Sequence, residues 1–115
     1  MKYNRDYYIM CMHLPADKKS RYVKKVKGSY PIKIMMPVWD EYVDAPEMFI
    51  HKDDYGQFIL SDSKTGICIY RAYRLKDIGV WLDDQNNIKA ILEAYNRPFI
   101  VKEKQIFNDL VSQAA

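Results

Sequence analysis

Two histidines, His13 and His51, are the side chains best suited to act as general bases at neutral pH. The sequence contains no Gly-x-Ser-x-Gly nucleophile elbow, and its four glycines are too far apart for a phosphate loop or a dinucleotide fingerprint. Enzymatic hydrolysis by side chains needs a nucleophile, a base and a group that orients the base. The sequence therefore predicts a protein that is not an enzyme and that uses no cofactor.

Three aspartates and a lysine offer the strongest catalytic alternative, a metal-dependent nuclease. Asp53 or Asp54 with Asp62 could hold a divalent ion, and Lys64 could polarise the attacking water. However, Asp62-Ser63-Lys64 lies where we predict a hairpin turn, and turns favour Asp for backbone reasons alone. We therefore rank the nuclease third among the possible functions.

A zinc site is the second alternative that the residue types permit. Cys11, His13, His51 and Cys68 would form the Cys₂His₂ set that tetrahedral zinc favours, and Cys11 and His13 share a face if they lie on a strand. The loop that normally separates paired zinc ligands is missing, and the four residues come from three separate segments. We therefore predict no metal site and interpret both cysteines as free, largely buried thiols.

A basic segment between residues 18 and 27 is the most pronounced charge feature. We expect Asp17 to begin a helix there and Gly28 to end it. Cations release counterions from phosphates and tyrosines such as Tyr22 can stack on bases, so an RNA- or DNA-binding module is our alternative function. The simpler interpretation is a solvated, lysine-rich helix face. The candidate contacts are Lys18, Lys19, Arg21, Lys24, Lys25 and Lys27.

Aromatic residues outside the predicted core favour binding to another protein. The chain has ten Tyr residues against four Phe and two Trp, and several lie in predicted loops. Tyr and Trp are enriched at the energetic centres of protein interfaces, although aromatic residues can also close the ends of a small core. The candidate contacts are Trp39 and Tyr42, in the proline-bounded loop 37–46, together with Tyr30 and Tyr55.

The elements that must position these residues follow from hydrophobic periodicity and turn signals. Tyr7–Leu14 is apolar on both alternating faces and predicts a central strand, and Ile32–Met36 predicts a second strand. Three further segments, joined by connectors that end in Gly56 and Gly66, predict an antiparallel meander because Gly readily adopts the positive φ that closes such loops. These segments are Met48–His51, Gln57–Ser61 and Ile67–Tyr73.

Helical periodicity dominates the C-terminal third of the chain. It predicts a short helix over Leu75–Leu82, a longer one after Asp83 and Asp84, and a last one over Glu103–Ser112. Residues 99–101 fit either the start of the last helix or an edge strand. The predicted fold is α+β: an antiparallel sheet of four to five strands containing a three-strand meander, with helices packed on one face, in a single domain over residues 1–115.

Length and composition limit the classes of protein to which the chain can belong. With 115 residues, 49% of them hydrophobic and 29% charged, the chain fits one globular domain without a membrane span or a signal peptide, so a cytoplasmic location is the default expectation. Residues 1–33 carry a net +7 and residues 34–115 a net −4. The leading hypothesis is a small non-enzymatic inhibitor, adaptor or regulator that docks on a larger protein, as accessory proteins of phages and mobile elements do. The oligomeric state is left open.

Overall fold

The protein is described by a computed structural model over residues 2–12, 21–34 and 45–114. In these residues six strands precede three helices. The strands are β1 (Arg5–Met12), β2 (Arg21–Gly28), β3 (Ile32–Lys33), β4 (Glu47–Lys52), β5 (Phe58–Asp62) and β6 (Cys68–Ala72). The helices are α1 (Leu75–Asp83), α2 (Gln85–Tyr95) and α3 (Phe99–Ala114).

The strands form one antiparallel sheet with the order β1-β2-β4-β5-β6, and β3 pairs with β4 off this path. The β4–β5 ladder runs from Met48 opposite Asp62 to Lys52 opposite Phe58, and β6 continues it on the far side of β5. The predicted meander is therefore confirmed, as is the α+β class with helices packed against an antiparallel sheet.

The two turns of the meander use the chemistry expected from their sequences. Gly56 and Gly66 have φ values of 84° and 69°, in the left-handed region that favours glycine. In the first turn the Asp53 carboxylate accepts hydrogen bonds from the backbone N–H groups of Tyr55 (2.9 Å) and Gln57 (2.8 Å). The Gly and Asp residues thus fix the β4–β5 connection locally.

One face of the meander packs against the helices. Side chains that alternate along β4 and β5 point to this face, as the two-residue period of a strand requires. α1 and α2 supply the opposing apolar stripe, and Asp84 caps α2 by accepting a hydrogen bond from the Asn86 backbone N–H. The buried cluster contains Ile34, Met48, Ile50, Leu60, Ile78, Ile88 and Leu92.

The opposite face of the meander is covered by the β1–β2 hairpin. The Tyr7 ring of β1 stacks on the Phe49 ring of β4, with 3.9 Å between centroids and 1° between planes. Gly28 permits this approach, since a Cβ there would lie 2.8 Å from the Phe49 ring. Farther along β1, the Met10 backbone N–H donates to the Gly66 carbonyl at 2.9 Å. The hairpin therefore forms a second packed layer.

The helix predicted over residues 17–27 is wrong in its described part, because residues 21–28 form β2. All eight residues of β2 pair with β1, from Arg5 opposite Gly28 to Met12 opposite Arg21. Tyr22, Val23 and Val26 have high strand propensity, and the long ladder overrides the helix propensity of the lysines. The predicted strand Tyr7–Leu14 is also misplaced: β1 lies at the end of the sheet order instead of in its centre.

Other boundaries differ by less. β3 is described for Ile32–Lys33, and the rest of the strand predicted to reach Met36 lies mostly outside the described residues. α3 begins at Phe99, which resolves the choice between helix and edge strand in favour of the helix. No helix in the described parts of the chain is both long and apolar enough to cross a bilayer.

Candidate functional site

An apolar concavity lies between the β5–β6 side of the sheet and the helices α2 and α3. We call this cavity of about 310 Å³ the apolar groove. The strand side contributes alternating residues of the β5–β6 connection and β6, and the helix side contributes the last turns of α2 and the first turn of α3. Its main apolar lining is Ile67, Ile69, Ile91, Ala94, Phe99 and Ile100. Such a surface favours apolar side chains of a bound molecule.

A buried carboxylate, that of Asp62, is part of the lining of the apolar groove. Asp62 accepts hydrogen bonds from the Thr65 hydroxyl at 2.7 Å and from the Lys64 backbone N–H at 3.3 Å. Burial raises the pKa of Asp62, while the hydrogen bonds from Thr65, Lys64 and the Tyr95 side chain lower it in part. The Asp62 carboxylate thus closes its own turn, as the hairpin interpretation of the sequence predicts.

Two lysines place positive charge beside the apolar groove. The Lys104 and Lys64 ammonium groups lie 4.7 Å and 5.7 Å from the centroid of the Tyr95 ring, which itself lines the groove. The Lys64 ammonium also donates to the Ala45 carbonyl at 3.1 Å. Attraction between a cation and an aromatic face holds both lysines at this rim.

A second concavity is basic and lies where β2 and β4 separate. The β2–β4 ladder contains one pair, Gly28 opposite His51, after which the strands diverge. The resulting cavity of about 350 Å³, which we call the basic basin, has three lysines and one aspartate in its lining. Its residues are Tyr3, Lys24, Val26, Lys27, Lys52 and Asp54.

The lysines in and beside the basic basin differ in the groups that they contact. Lys27 and Lys25 reach the Asp6 carboxylate at 2.5 Å and 3.8 Å, and the hydrogen bond from Lys27 lowers the pKa of Asp6. Lys52 instead lies over aromatic rings, 5.5 Å from the centroid of Tyr3 and 5.1 Å from that of Phe58. No carboxylate in the described ranges forms an ion pair with Lys24 or Lys52 within 4.0 Å.

One pair with catalytic residue types escaped the sequence analysis. His51 Nε2 and Ser61 Oγ lie 3.3 Å apart on the hairpin side of the sheet. Both residues are almost fully buried, at 2% and 1% exposure, and burial lowers the pKa of His51. A Ser–His pair without access for a substrate is a structural hydrogen bond. It becomes visible only when the β4–β5 register is known.

Two of the four aromatic residues predicted to bind a partner, Tyr30 and Tyr55, lie in the described part of the chain. Tyr30 and Tyr55 are 60% and 88% exposed, as expected, but neither lines the apolar groove or the basic basin. Trp39, Tyr42, Lys18 and Lys19 lie outside the described residues.

Among the predicted cations, Arg21 differs from Lys24, Lys25 and Lys27, which are exposed on β2. Arg21 forms a 2.7 Å ion pair with Glu103 of α3, in which the side chains are only 13% and 18% exposed. Arg21 is therefore engaged in holding α3 against β2.

The cysteine predictions are half correct. Both cysteines are free, but Cys68 is exposed and Cys11 is only half-buried. Ile67 and Ile69 point into the apolar groove, so Cys68 between them points to the other side of the strand. Within the described ranges no three His, Cys, Asp or Glu side chains cluster around a position for a metal ion.

Comparison with models of known protein families, with curated proteins and with solved structures gave no match.

Proposed function

We propose that this chain is a non-enzymatic binding protein, an inhibitor, adaptor or regulator, that docks on a larger protein through the apolar groove. The observation that supports the proposal is the lining of that groove, which is mostly apolar, with Asp62, Thr65 and Asn87 as its polar residues. Apolar surface that is left open on a small domain is commonly used for association. A role as an accessory protein of a phage or mobile element belongs to the same proposal.

The charge around the apolar groove defines the partner further. Lys64 and Lys104 stand beside the Tyr95 ring at its rim. A partner segment that inserts apolar side chains and carries carboxylates next to them would complement both features. We therefore propose an acidic amphipathic segment as the bound element. Burying one Leu-sized side chain in the groove would contribute about 1.5–3 kcal/mol, so a few such contacts give a stable complex.

Aromatic residues elsewhere extend the proposed interface. The half-exposed Phe99 lines the apolar groove and can pack against an incoming segment. Trp39 and Tyr42 stay predicted contacts, and Tyr30 and Tyr55 offer exposed rings elsewhere on the surface. A large aromatic side chain at the centre of an interface typically contributes about 2 kcal/mol or more.

Blocking the apolar groove tests the proposal. Ala94→Arg places a long charged side chain in the groove, and Val80→Arg adds the same charge at an exposed position of α1 outside it. A partner is first captured from nuclease-treated native lysate and purified. Its affinity is then measured for both variants by calorimetry. We expect Ala94→Arg to weaken binding by at least about tenfold, the equivalent of 1.4 kcal/mol, and Val80→Arg to bind like the wild type.

Melting temperatures of the variants decide between a binding defect and a folding defect. Lost binding by a folded Ala94→Arg protein supports the apolar groove as the interface. Equal affinities of the two variants would exclude the groove, and capture that disappears with nuclease treatment would indicate nucleic acid as the bridging partner.

A further inference from the structure

The basic basin combines features that the proposed protein interface does not use. It shares no lining residue with the apolar groove. Three of its six lining residues are lysines, and a single aspartate, Asp54, opposes them. Asp6 pairs with Lys27 from outside the basin, whereas Lys24 and Lys52 form no ion pair with a described carboxylate, so an anion bound between the lysines would reduce their mutual repulsion.

The origin of the basic basin lies in the topology of the sheet. Lys24 and Lys27 come from β2 and Lys52 comes from the end of β4, two strands that pair once and then separate. The separation opens a concave site between the strands, and the cations stand on both of its walls. Charges that converge on one cavity from two strands distinguish this site from a lysine-rich face of a single strand.

An aromatic ring lies within the same cavity. Tyr3 precedes β1 and lines the basic basin, with its ring 6.4 Å from the Phe58 ring and 5.5 Å from the Lys52 ammonium. A tyrosine hydroxyl is protonated at neutral pH, and burial of part of the Tyr3 side chain raises its pKa further. A neutral aromatic ring beside several cations is the combination with which proteins bind single strands, through base stacking and phosphate contacts.

We propose that the basic basin binds single-stranded nucleic acid, with Lys24, Lys27 and Lys52 contacting successive phosphates and Tyr3 stacking on a base. Lysine acts as a point charge without directional pairing, so the binding is independent of sequence. The lysines and the ring line one concavity of about 350 Å³, and a flexible single strand can turn its phosphates and a base into such a site more readily than a rigid duplex can. Lys27 exchanges its Asp6 partner for phosphate, and Lys24 and Lys52 have no ion pair with a described carboxylate to break.

The salt dependence of binding by the full chain tests this proposal. The probe is a fluorescein-labelled oligothymidylate of about 20 nucleotides, enough to cover the binding site of a small domain, and the readout is anisotropy. The wild type should bind with a linear negative slope of log affinity against log salt between about 50 mM and 200 mM NaCl. Lys24→Ala with Lys52→Ala should flatten that slope by roughly 1.4 and weaken binding at least about tenfold at the lower salt concentration.

Matched variants separate the basic basin from a general effect of charge. Lys76→Ala with Lys89→Ala removes two exposed lysines from α1 and α2 and leaves the basin intact, so it should bind like the wild type. Tyr3→Leu should weaken binding by roughly tenfold without altering the salt slope, because stacking contributes about 1–3 kcal/mol per base and no counterion release.

Three results would overturn the proposal. One is equal loss of affinity in both lysine pairs, which would show a diffuse charge effect. Another is the absence of a measurable anisotropy change at the lowest salt concentration. The third is displacement of the oligonucleotide by polyglutamate at an equal concentration of charges, which would assign the basic basin to acidic proteins. Circular dichroism of each variant confirms that it is folded.

Discussion

His51 is a base whose neutral form the fold favours. It lies on the covered face of β4, beside the Phe49 ring at 5.5 Å and within hydrogen-bond distance of Ser61. Burial is the main reason that its pKa lies below the ordinary 6.5. The unfolded chain therefore binds a proton at His51 more readily than the folded chain does. As the pH falls through 6.5 towards the lower pKa of the folded state, the free energy of unfolding decreases.

This linkage predicts a loss of thermal stability in mild acid. Between about pH 7.5 and pH 5 the wild type should lose up to about 1.4 kcal/mol per pH unit once the pH is below the unfolded-state pKa. His51→Gln retains a hydrogen-bonding partner for Ser61 but cannot be protonated, so its melting temperature should change less over the same range. Scanning calorimetry of both proteins at each pH measures the difference. Equal acid sensitivity would show that His51 is not the responsible group.

Asp62 acts in the opposite direction on the same pH scale. Its raised pKa means that the folded chain holds the Asp62 proton more tightly than the unfolded chain, so falling pH stabilises the fold through this group. The comparison between wild type and His51→Gln cancels this contribution, since Asp62 is present in both proteins. The turn position of Asp62 was predictable from Asp-x-x-Thr-Gly spacing, whereas its burial was not, because burial depends on how α2 packs over the turn.

At the scale of elements, the β5–β6 turn is the point where three parts of the molecule meet. Gly66 has a positive φ, and its carbonyl accepts the hydrogen bond from Met10 of β1. A Cβ at this position would lie 2.5 Å from the Phe107 ring of α3 and 2.6 Å from the Met10 backbone nitrogen. The backbone atom cannot rotate away as a side chain can. Gly66 is therefore required both for its positive φ and for the close approach of Met10 and Phe107.

Gly66→Ala should consequently be much more disruptive than Gly56→Ala. Gly56 also has a positive φ, but a Cβ there meets nothing within 4 Å, so alanine costs only the backbone strain of about 1–2 kcal/mol. Gly66→Ala adds a steric clash to the same strain and should cost about 3 kcal/mol or more. Urea titration of both variants gives the two values. Similar losses would mean that the hairpin and α3 do not pack closely on this turn.

The elements differ in how much of them the sequence could predict. The meander could be predicted from its local sequence, because segments of alternating apolar residues are separated by turns that contain Asp and Gly. β2 could not: Tyr22, Val23 and Val26 have a spacing that suits a helix face as well as a strand. The eight-residue ladder with β1 decides the outcome, and the pattern of residues 21–28 alone does not reveal that pairing. The basic basin was missed for the same reason, since it exists only where β2 and β4 diverge.

At the scale of the whole molecule, the meander has packed layers on both faces. Ile50 and Leu60 face the helices α1 and α2, while Phe49 faces Tyr7 of the hairpin. α3 links the layers, since it forms an ion pair with β2 through Arg21 and Glu103 and packs Phe107 against the β5–β6 turn. The helices and the hairpin pack on opposite faces of β4 and β5. The loss of either layer would therefore expose one face of these two strands to solvent.

This arrangement predicts that the chain unfolds as one cooperative unit. Measuring that cooperativity also tests the prediction of a single domain over residues 1–115. Phe107→Ala removes a ring that is 5% exposed and should cost about 3–5 kcal/mol, whereas Ile106→Ala, at a neighbouring position that is 37% exposed, should cost far less. Native-state hydrogen exchange then distinguishes the possibilities. If the layers are coupled, Phe107→Ala accelerates exchange of the slowest amides in β1, β2, β4 and β5 by the same factor, because all of them exchange through global unfolding. If the β1–β2 hairpin alone lost protection while β4, β5, α1 and α2 kept theirs, the hairpin and α3 would form a separate unit. In that case the variant would still melt cooperatively by the signal of the meander and its helices, but at a temperature different from that of the hairpin.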